Sequence, residues 1–330
     1  MFKIIQSFLL LTLMLFSAEK PTLTIYTYDA FAASWGAAPK IKEAFEKKHE
    51  CKVKFVGLSS SIVALRKIQL EGKKTKADIL LGIDTNIAEV AKKTDLFLPH
   101  ELNTSKLELP FPYDDDTFAA FDYSYAAFVY SENTVKNPPH SFEELASMPK
   151  DFKIVIQDPR SSTAGLALLL WVKSVYGDKA GDYWKRLAPY ILTITKGWSE
   201  AYGLFLKGEA DMVLSYTTSP AYHIVDENRT DIKSAPFKEG HYGQIEVAGI
   251  LKSSKQKDLA KKFMRFMHTE TFAAIIPTGN WSYPVTKGSK PLPPAFDTLH
   301  KPKKMLLIDG VVVEKQRKAI INEWLRAIQK

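Results

Sequence analysis

The sequence predicts an α/β protein built from two domains. Three observations carry this. From Leu23 to Asp84, strand-like apolar runs alternate with amphipathic helical ones, and such a βαβαβ rhythm makes a parallel sheet covered on both faces. Phe118 to Tyr130 (FAAFDYSYAAFVY) is a β-rich run too long for one strand, and Val247 to Leu251 is a second such candidate. Both suggest crossings of the chain from one domain to another. Each strand ends in a loop of small, polar or aromatic residues, and in open α/β sheets ligands lie outside the carboxyl ends of the strands.

Composition agrees. A chain of 330 residues has length enough for two ordinary domains or one large one. Its 45% hydrophobic and 25% charged content predicts a packed globular protein, and 12% aromatics raises the prospect of a stacking site. The net charge of +8 is well mixed. The densest basic stretches, Lys255 to Lys262 and Lys301 to Lys304, carry no interleaved aromatics, which argues against a nucleic-acid partner. Residues 1–18 read as a secretory signal peptide, with Lys3, the apolar run Phe8 to Phe16 and small residues Ser17-Ala18. A soluble, exported mature protein is therefore expected. Cys51 is a lone cysteine and cannot form an internal disulfide. Its strand-like neighbours, with no His or helix start close by, make it a structural residue.

Taken in order, Leu23 to Tyr28 alternates as a first strand, and Asp29 to Gly36 is a polar and aromatic loop. Ile41 to His49 is an amphipathic helix and Lys52 to Leu58 a second strand. Ser59-Ser60-Ser61 caps a helix over Ile62 to Glu71. Ala77 to Leu81 is an apolar strand. Beyond the long crossing run, Ser141-Phe142-Glu143-Glu144 is a capping box. Lys153 to Gln157 is a strand, and Asp158 to Gly165 leads into an apolar helix, Leu166 to Tyr176. Trp198-Ser199 starts a helix that Gly208 stops, and Asp211 to Ser215 is a buried strand. Phe263 to Ile276 is helical and ends at Pro277 to Trp281; Val313 to Lys330 is a final amphipathic helix.

The chemistry concentrates in Lys196 to His223 (KGWSEAYGLFLKGEADMVLSYTTSPAYH). A Trp before a helix and Tyr216-Thr217-Thr218-Ser219 after a strand offer aromatic walls and hydroxyl donors to one site. Trp35, Trp198, Tyr216, Tyr222 and Trp281 all fall in loops or at helix ends, where core aromatics are unusual. Together they suit a flat or cationic ligand. Asp158 to Gly165 reads either as an anion site at a helix start or as ordinary capping, and Ser59-Ser60-Ser61 carries the same two readings. The His residues lack metal-ligand spacing, and no nucleophile motif stands out.

Five segments then converge: LTIYTYDAFAASW from Leu23, KADILLGID from Lys76, Gln157 to Gly165, Lys196 to His223, and IPTGNWSYP from Ile276. In this order they closely resemble the periplasmic thiamine-binding proteins, the solute receptors of thiamine ABC transporters. The resemblance implies a type II periplasmic binding fold: two α/β lobes, a ligand cleft between them, and crossing hinge strands. It implies one lobe from residues 19–125 plus 235–288 and another from 126–234 plus 289–330. The family's binding residues fall on Ser162, Thr163, Trp198, Tyr216, Thr217, Thr218 and Ser219, with Tyr28, Trp35, Tyr222 and Trp281 as remaining walls. Ser60 and Ser61 stand where family members can carry Asp-Gly, on the phosphate side of the ligand. The implied ligand is thiamine, its monophosphate or its diphosphate; the implied partner is a membrane permease with its ATPase. No cofactor, catalytic residue or metal ligand is implied, and receptors of this kind act as monomers in the periplasm. Two rival readings share the fold: a thiamine-cleaving enzyme, whose Cys nucleophile would have to be Cys51, and a ferric-ion receptor, which usually pairs adjacent Tyr ligands that this chain lacks.

Overall fold

In the computed structural model, residues 19–329 are described. The leader expected at residues 1–18 lies outside them. The first lobe begins with β1 (Thr22–Tyr28), α1 (Asp29–Ala32), α2 (Ala38–Lys48), β2 (Lys52–Leu58), α3 (Ser61–Glu71), β3 (Ile79–Asp84), α4 (Thr85–Lys92) and the short β4 (Phe97–Leu98). The chain crosses on β5 (Ala119–Ser131). The second lobe holds α5 (Phe142–Leu145), β6 (Ile154–Gln157), α6 (Thr163–Tyr176), α7 (Ala180–Leu187), β7 (Ile191–Thr195), α8 (Trp198–Leu206), β8 (Met212–Tyr216), α9 (Pro220–Asp226) and β9 (Ile232–Ser234). The chain returns on β10 (His241–Leu251), followed by α10 (Lys257–Met267), α11 (Glu270–Gly279), β11 (Tyr283–Pro284), β12 (Met305–Leu306) and α12 (Gly310–Ile328).

The strand order is β2-β1-β3-β10-β5-β8-β6-β7. In this order β2, β1 and β3 run parallel, as do β8, β6 and β7, as the βαβ rhythm requires; β5 and β10 are antiparallel to their neighbours in it, while β10 also pairs in parallel with β12. The run expected to be too long for one strand is a single strand of 13 residues. It stays continuous because its halves belong to different lobes. Ala119 to Tyr125 pairs with β10, and Ala126 to Tyr130 pairs with β8, so the partner changes between Tyr125 and Ala126.

Helices cover both faces. Phe31, Phe45, Phe263 and Phe272 pack on one face of the first lobe, while Tyr202, Phe205 and Val213 do so in the second. A larger apolar cluster runs without a break from Leu65, Leu80 and Ile87 to Leu168, Trp171, Trp184 and Trp324. Helix α12 packs on both lobes. It packs against α4 of the first and α6 and α7 of the second, with ion pairs Lys93–Glu314 at 2.6 Å and Lys173–Glu323 at 3.2 Å.

Several element boundaries differ from the sequence reading, and β10 in particular begins at His241 rather than Val247. The helix expected over Phe263 to Ile276 is two helices, because Thr269 caps α11 by accepting from the Phe272 N–H. Pro277 lies inside α11 rather than ending it. Asp29 to Gly36, read as a loop, opens with the short helix α1.

Candidate functional site

A cavity of about 320 Å³ lies between the lobes, at the carboxyl ends of β1, β6 and β8. The first lobe contributes Tyr28, Trp35, Ser60 and Ser61 to its lining. The second contributes Ser162, Thr163, Trp198, Tyr216, Ser219 and Tyr222, and Trp281 closes it from beyond α11. Thr217 and Thr218, expected in the same set, do not line it. The reason is strand alternation. The Thr217 N–H continues the β5–β8 ladder by donating to the Tyr125 carbonyl at 2.9 Å. With Tyr216 facing the cavity, Thr217 is sent to the opposite side, and Thr218 is buried in the turn that follows β8.

The aromatic wall is held by its supports. Trp198 is the first residue of α8, and its indole N–H donates to Ser215 Oγ at 2.8 Å. Its ring stacks on Tyr202 with centroids 4.6 Å apart. The Tyr202 hydroxyl bonds His223 Nε2 at 2.9 Å, and His223 Nδ1 meets Glu227 at 2.7 Å. A chain of side chains from Trp198 to Glu227 therefore fixes the indole plane. Trp281 has a left-handed backbone, φ +53°, a conformation that costs about 1–3 kcal/mol outside glycine. It places the indole edge-on to Tyr222, with centroids 5.4 Å apart.

One end of the cavity suits an anion. Ser60 caps α3, accepting from the Val63 N–H at 3.1 Å, and its hydroxyl donates to the Ser161 carbonyl. Ser162 caps α6, accepting from the Gly165 N–H at 3.4 Å. Two helix N-termini, one from each lobe, thus meet where Ser60, Ser61, Ser162 and Thr163 line the wall. Around this end the lobes touch. Arg66 Nη2 donates to the Arg160 carbonyl at 2.8 Å and the Ser199 hydroxyl donates to Asp29 Oδ1 at 2.9 Å.

The floor is acidic. Glu246 on β10 lines the cavity directly opposite Asp122 on β5, and Tyr28 and Asn280 complete the group. Burial pushes the Asp122 carboxyl up to about 7. Burial, and then the charge of Asp122, hold the Glu246 carboxyl well above the carboxylate range. Gly82 on β3, at φ +94°, gives the Tyr28 ring room; a Cβ there would stand 2.5 Å from the ring. Sequence reasoning missed Glu246, Gln244, Asn280, Asp29 and Tyr202, all of which line the cavity. The available signal was Glu246 itself, a carboxylate inside the otherwise uncharged run from Tyr242 to Leu251.

Cys51 is buried in the first lobe's core, burial pushes its thiol up, and it does not line the cavity. Among the described residues, no group of three or more His, Cys, Asp or Glu is placed to hold a metal ion. No helix among them is long and apolar enough to cross a membrane.

Residues 31–274 match the family described as bacterial extracellular solute-binding protein. The thiamine-binding periplasmic protein of Escherichia coli K12 is 49% identical over 311 residues, covering 94% of each chain. That of Brucella suis is 50% identical over 308 residues, covering 93% of this chain and 92% of the relative. A solved structure titled periplasmic thiamin binding protein superposes with a TM-score of 0.91 at 49% identity, covering 94% of this chain and 97% of that one. With a two-lobed fold, an interlobe cavity and full-length similarity of this kind, the chain belongs to the thiamine-binding periplasmic proteins, within the bacterial extracellular solute-binding protein family.

Proposed function

We propose that this protein is the periplasmic receptor of a thiamine uptake system. It captures thiamine between its lobes and delivers it to the permease and ATPase of an ABC transporter. The observation that carries this reading is the match of cavity to ligand within a chain about half identical to thiamine-binding periplasmic proteins. Thiamine joins a cationic thiazolium to a flat aminopyrimidine. Trp198, Tyr222 and Trp281 supply ring faces and edges for both, and each cation–π contact contributes about 0.5–2 kcal/mol. Glu246 brings a carboxyl group to the same space. The binding set is Tyr28, Trp35, Ser60, Ser61, Ser162, Thr163, Trp198, Tyr216, Ser219, Tyr222 and Trp281, with Thr217 and Thr218 supporting from behind.

The meeting of the α3 and α6 N-termini favours a second ligand form, in which a phosphate of thiamine monophosphate or diphosphate takes that end. We assign the lobes to residues 19–125 plus 235–288 and 126–234 plus 289–330, with α12 clamping both. The receptor acts as a monomer, without catalysis and without nucleic acid, after removal of its leader. The position of Cys51 in the core weighs against the thiamine-cleaving reading.

Titration calorimetry of the mature protein tests this. Sub-micromolar binding of thiamine at one site per chain is expected. No heat with thiamine or its diphosphate, in protein freed of carried-over ligand, would sink the reading.

A further inference from the structure

The floor of the cavity brings two buried carboxyl groups together with no cation acting on Glu246. Asp122 and Glu246 are directly opposite each other on β5 and β10, and both are buried. The Asn280 amide nitrogen donates to Asp122 Oδ2 at 2.6 Å and to Glu246 Oε2 at 3.0 Å. This fixes the amide orientation, since a flipped amide would aim its oxygen at two carboxyl groups. Asn280 Oδ1 is then turned to the Tyr28 hydroxyl, 2.8 Å away, and can accept from it. Tyr28 has one proton, yet Glu246 Oε2 is also 2.8 Å from its oxygen. With both carboxyl groups ionised, the Tyr28 hydroxyl can donate to only one of these two acceptors, and a proton held by the carboxyl pair relieves that shortage.

The other neighbours do not supply a counter-charge. Asp84 on β3 is also in register with Glu246, but its carboxyl group turns away to accept from the Asn86 N–H and amide. Tyr216 on β8 and Gln244 on β10 are neutral. Arg317 on α12 acts on Asp84. The groups acting on Glu246 are Asp122, Tyr28 and Asn280, and none of these is a cation. A second observation points to a ligand here. Gln244 Oε1 and Trp281 Nε1 belong to buried side chains lining the cavity, and neither has a hydrogen-bond partner among the described residues.

We propose that Asp122 and Glu246 share one proton in the free receptor and release it when a cationic ligand enters. The negative charge needed to hold the cation is thus stored in neutral form and uncovered by binding. The cation stabilises the ionised pair, the proton leaves to solvent, and the net charge of the floor becomes more negative by one. Burial, which pushes both carboxyl groups up, is consistent with a proton retained near neutral pH. The inference rests on the thiamine reading, because the thiazolium is the cation.

The test is calorimetry with thiamine at pH 7 in Pipes and in Tris, whose ionisation enthalpies differ. The buffer dependence of the heat gives the protons released. About 0.5 to 1 proton per thiamine is expected for the natural protein, and less than about 0.2 for Asp122→Asn. Glu246→Gln is the second variant, with the same expected loss, should the first not fold. Tight thiamine binding without buffer dependence, or unchanged release in either folded variant, would overturn the proposal and leave the receptor reading intact. No thiamine binding by the natural protein would overturn both.

Discussion

Gly197 and Ser59 face each other across the cleft so closely that a methyl group on Gly197 would stand 2.2 Å from the Ser59 carbonyl oxygen. Gly197 precedes α8 in the second lobe, and Ser59 precedes α3 in the first. The backbone of Gly197 is extended, φ −146° and ψ 173°, a conformation open to any residue. Its lack of a side chain serves the approach of the lobes rather than a special turn.

Gly197→Ala should therefore fold normally and close badly. Overpacking at such a contact costs about 1–3 kcal/mol, so thiamine affinity should fall by about 10- to 100-fold. Small-angle scattering should show a smaller contraction on adding thiamine than in the natural protein. Unchanged affinity and contraction would mean that this contact does not limit closure.

Trp198 is the next test. Trp198→Ala removes a ring face and also the stack on Tyr202. A loss of about 1–3 kcal/mol, or about 10- to 100-fold in Kd, is expected by calorimetry. Trp198→Phe should recover part of it, since a ring remains on Tyr202 while the bond to Ser215 is lost.

Acid should weaken the fold at His241. Its Nδ1 donates to the Ala126 carbonyl at 2.8 Å, and its Nε2 accepts from the Phe237 N–H at 3.2 Å. The ring must be neutral to do both, and burial pushes its pKa from 6.5 down to about 4. A depressed folded value means that the stability is fully present above 6.5 and is lost as pH falls toward about 4. The loss should be on the order of 2–3 kcal/mol in urea denaturation, and His241→Gln should flatten that slope.

Asp84 should act with the opposite sign. Burial raises its carboxyl from 3.8 to about 7. The stability it contributes is present below 3.8 and is lost as pH rises through about 7. Asp84→Asn keeps a residue able to cap α4 and cannot ionise. The variant should be more stable than the natural protein by on the order of 2 kcal/mol at pH 8 and equal to it near pH 4, measured by thermal or urea denaturation.

The sequence revealed those parts that depend on local signals. β2 spans Lys52–Leu58 as its alternation predicts, and Ser60, Ser141 and Ser162 each cap the helix that they precede. Trp198 was legible because its position is set by a helix start. Tyr216 was legible as the end of a short strand. Thr217 was misjudged because a run of hydroxyl residues looks uniform in sequence, whereas the pleat sends alternate side chains to opposite faces. The Asp122–Glu246 pair was hidden for a different reason. The two residues are far apart in the chain and meet only through the register of β5 on β10, which no local pattern encodes. The break at Thr269 was a missed cap, readable in principle from the Thr that precedes α11.

The position of α12 across both lobes also bears on the order of assembly. This helix follows every other described element in the chain, and Trp324 packs near Trp184 while Glu314 reaches back to Lys93. A chain in which α12 has not yet formed lacks the element that clamps its halves. Neither half is a continuous stretch of sequence, so neither can be completed early. Such a chain stays incompletely folded until the segments that follow β10 are present.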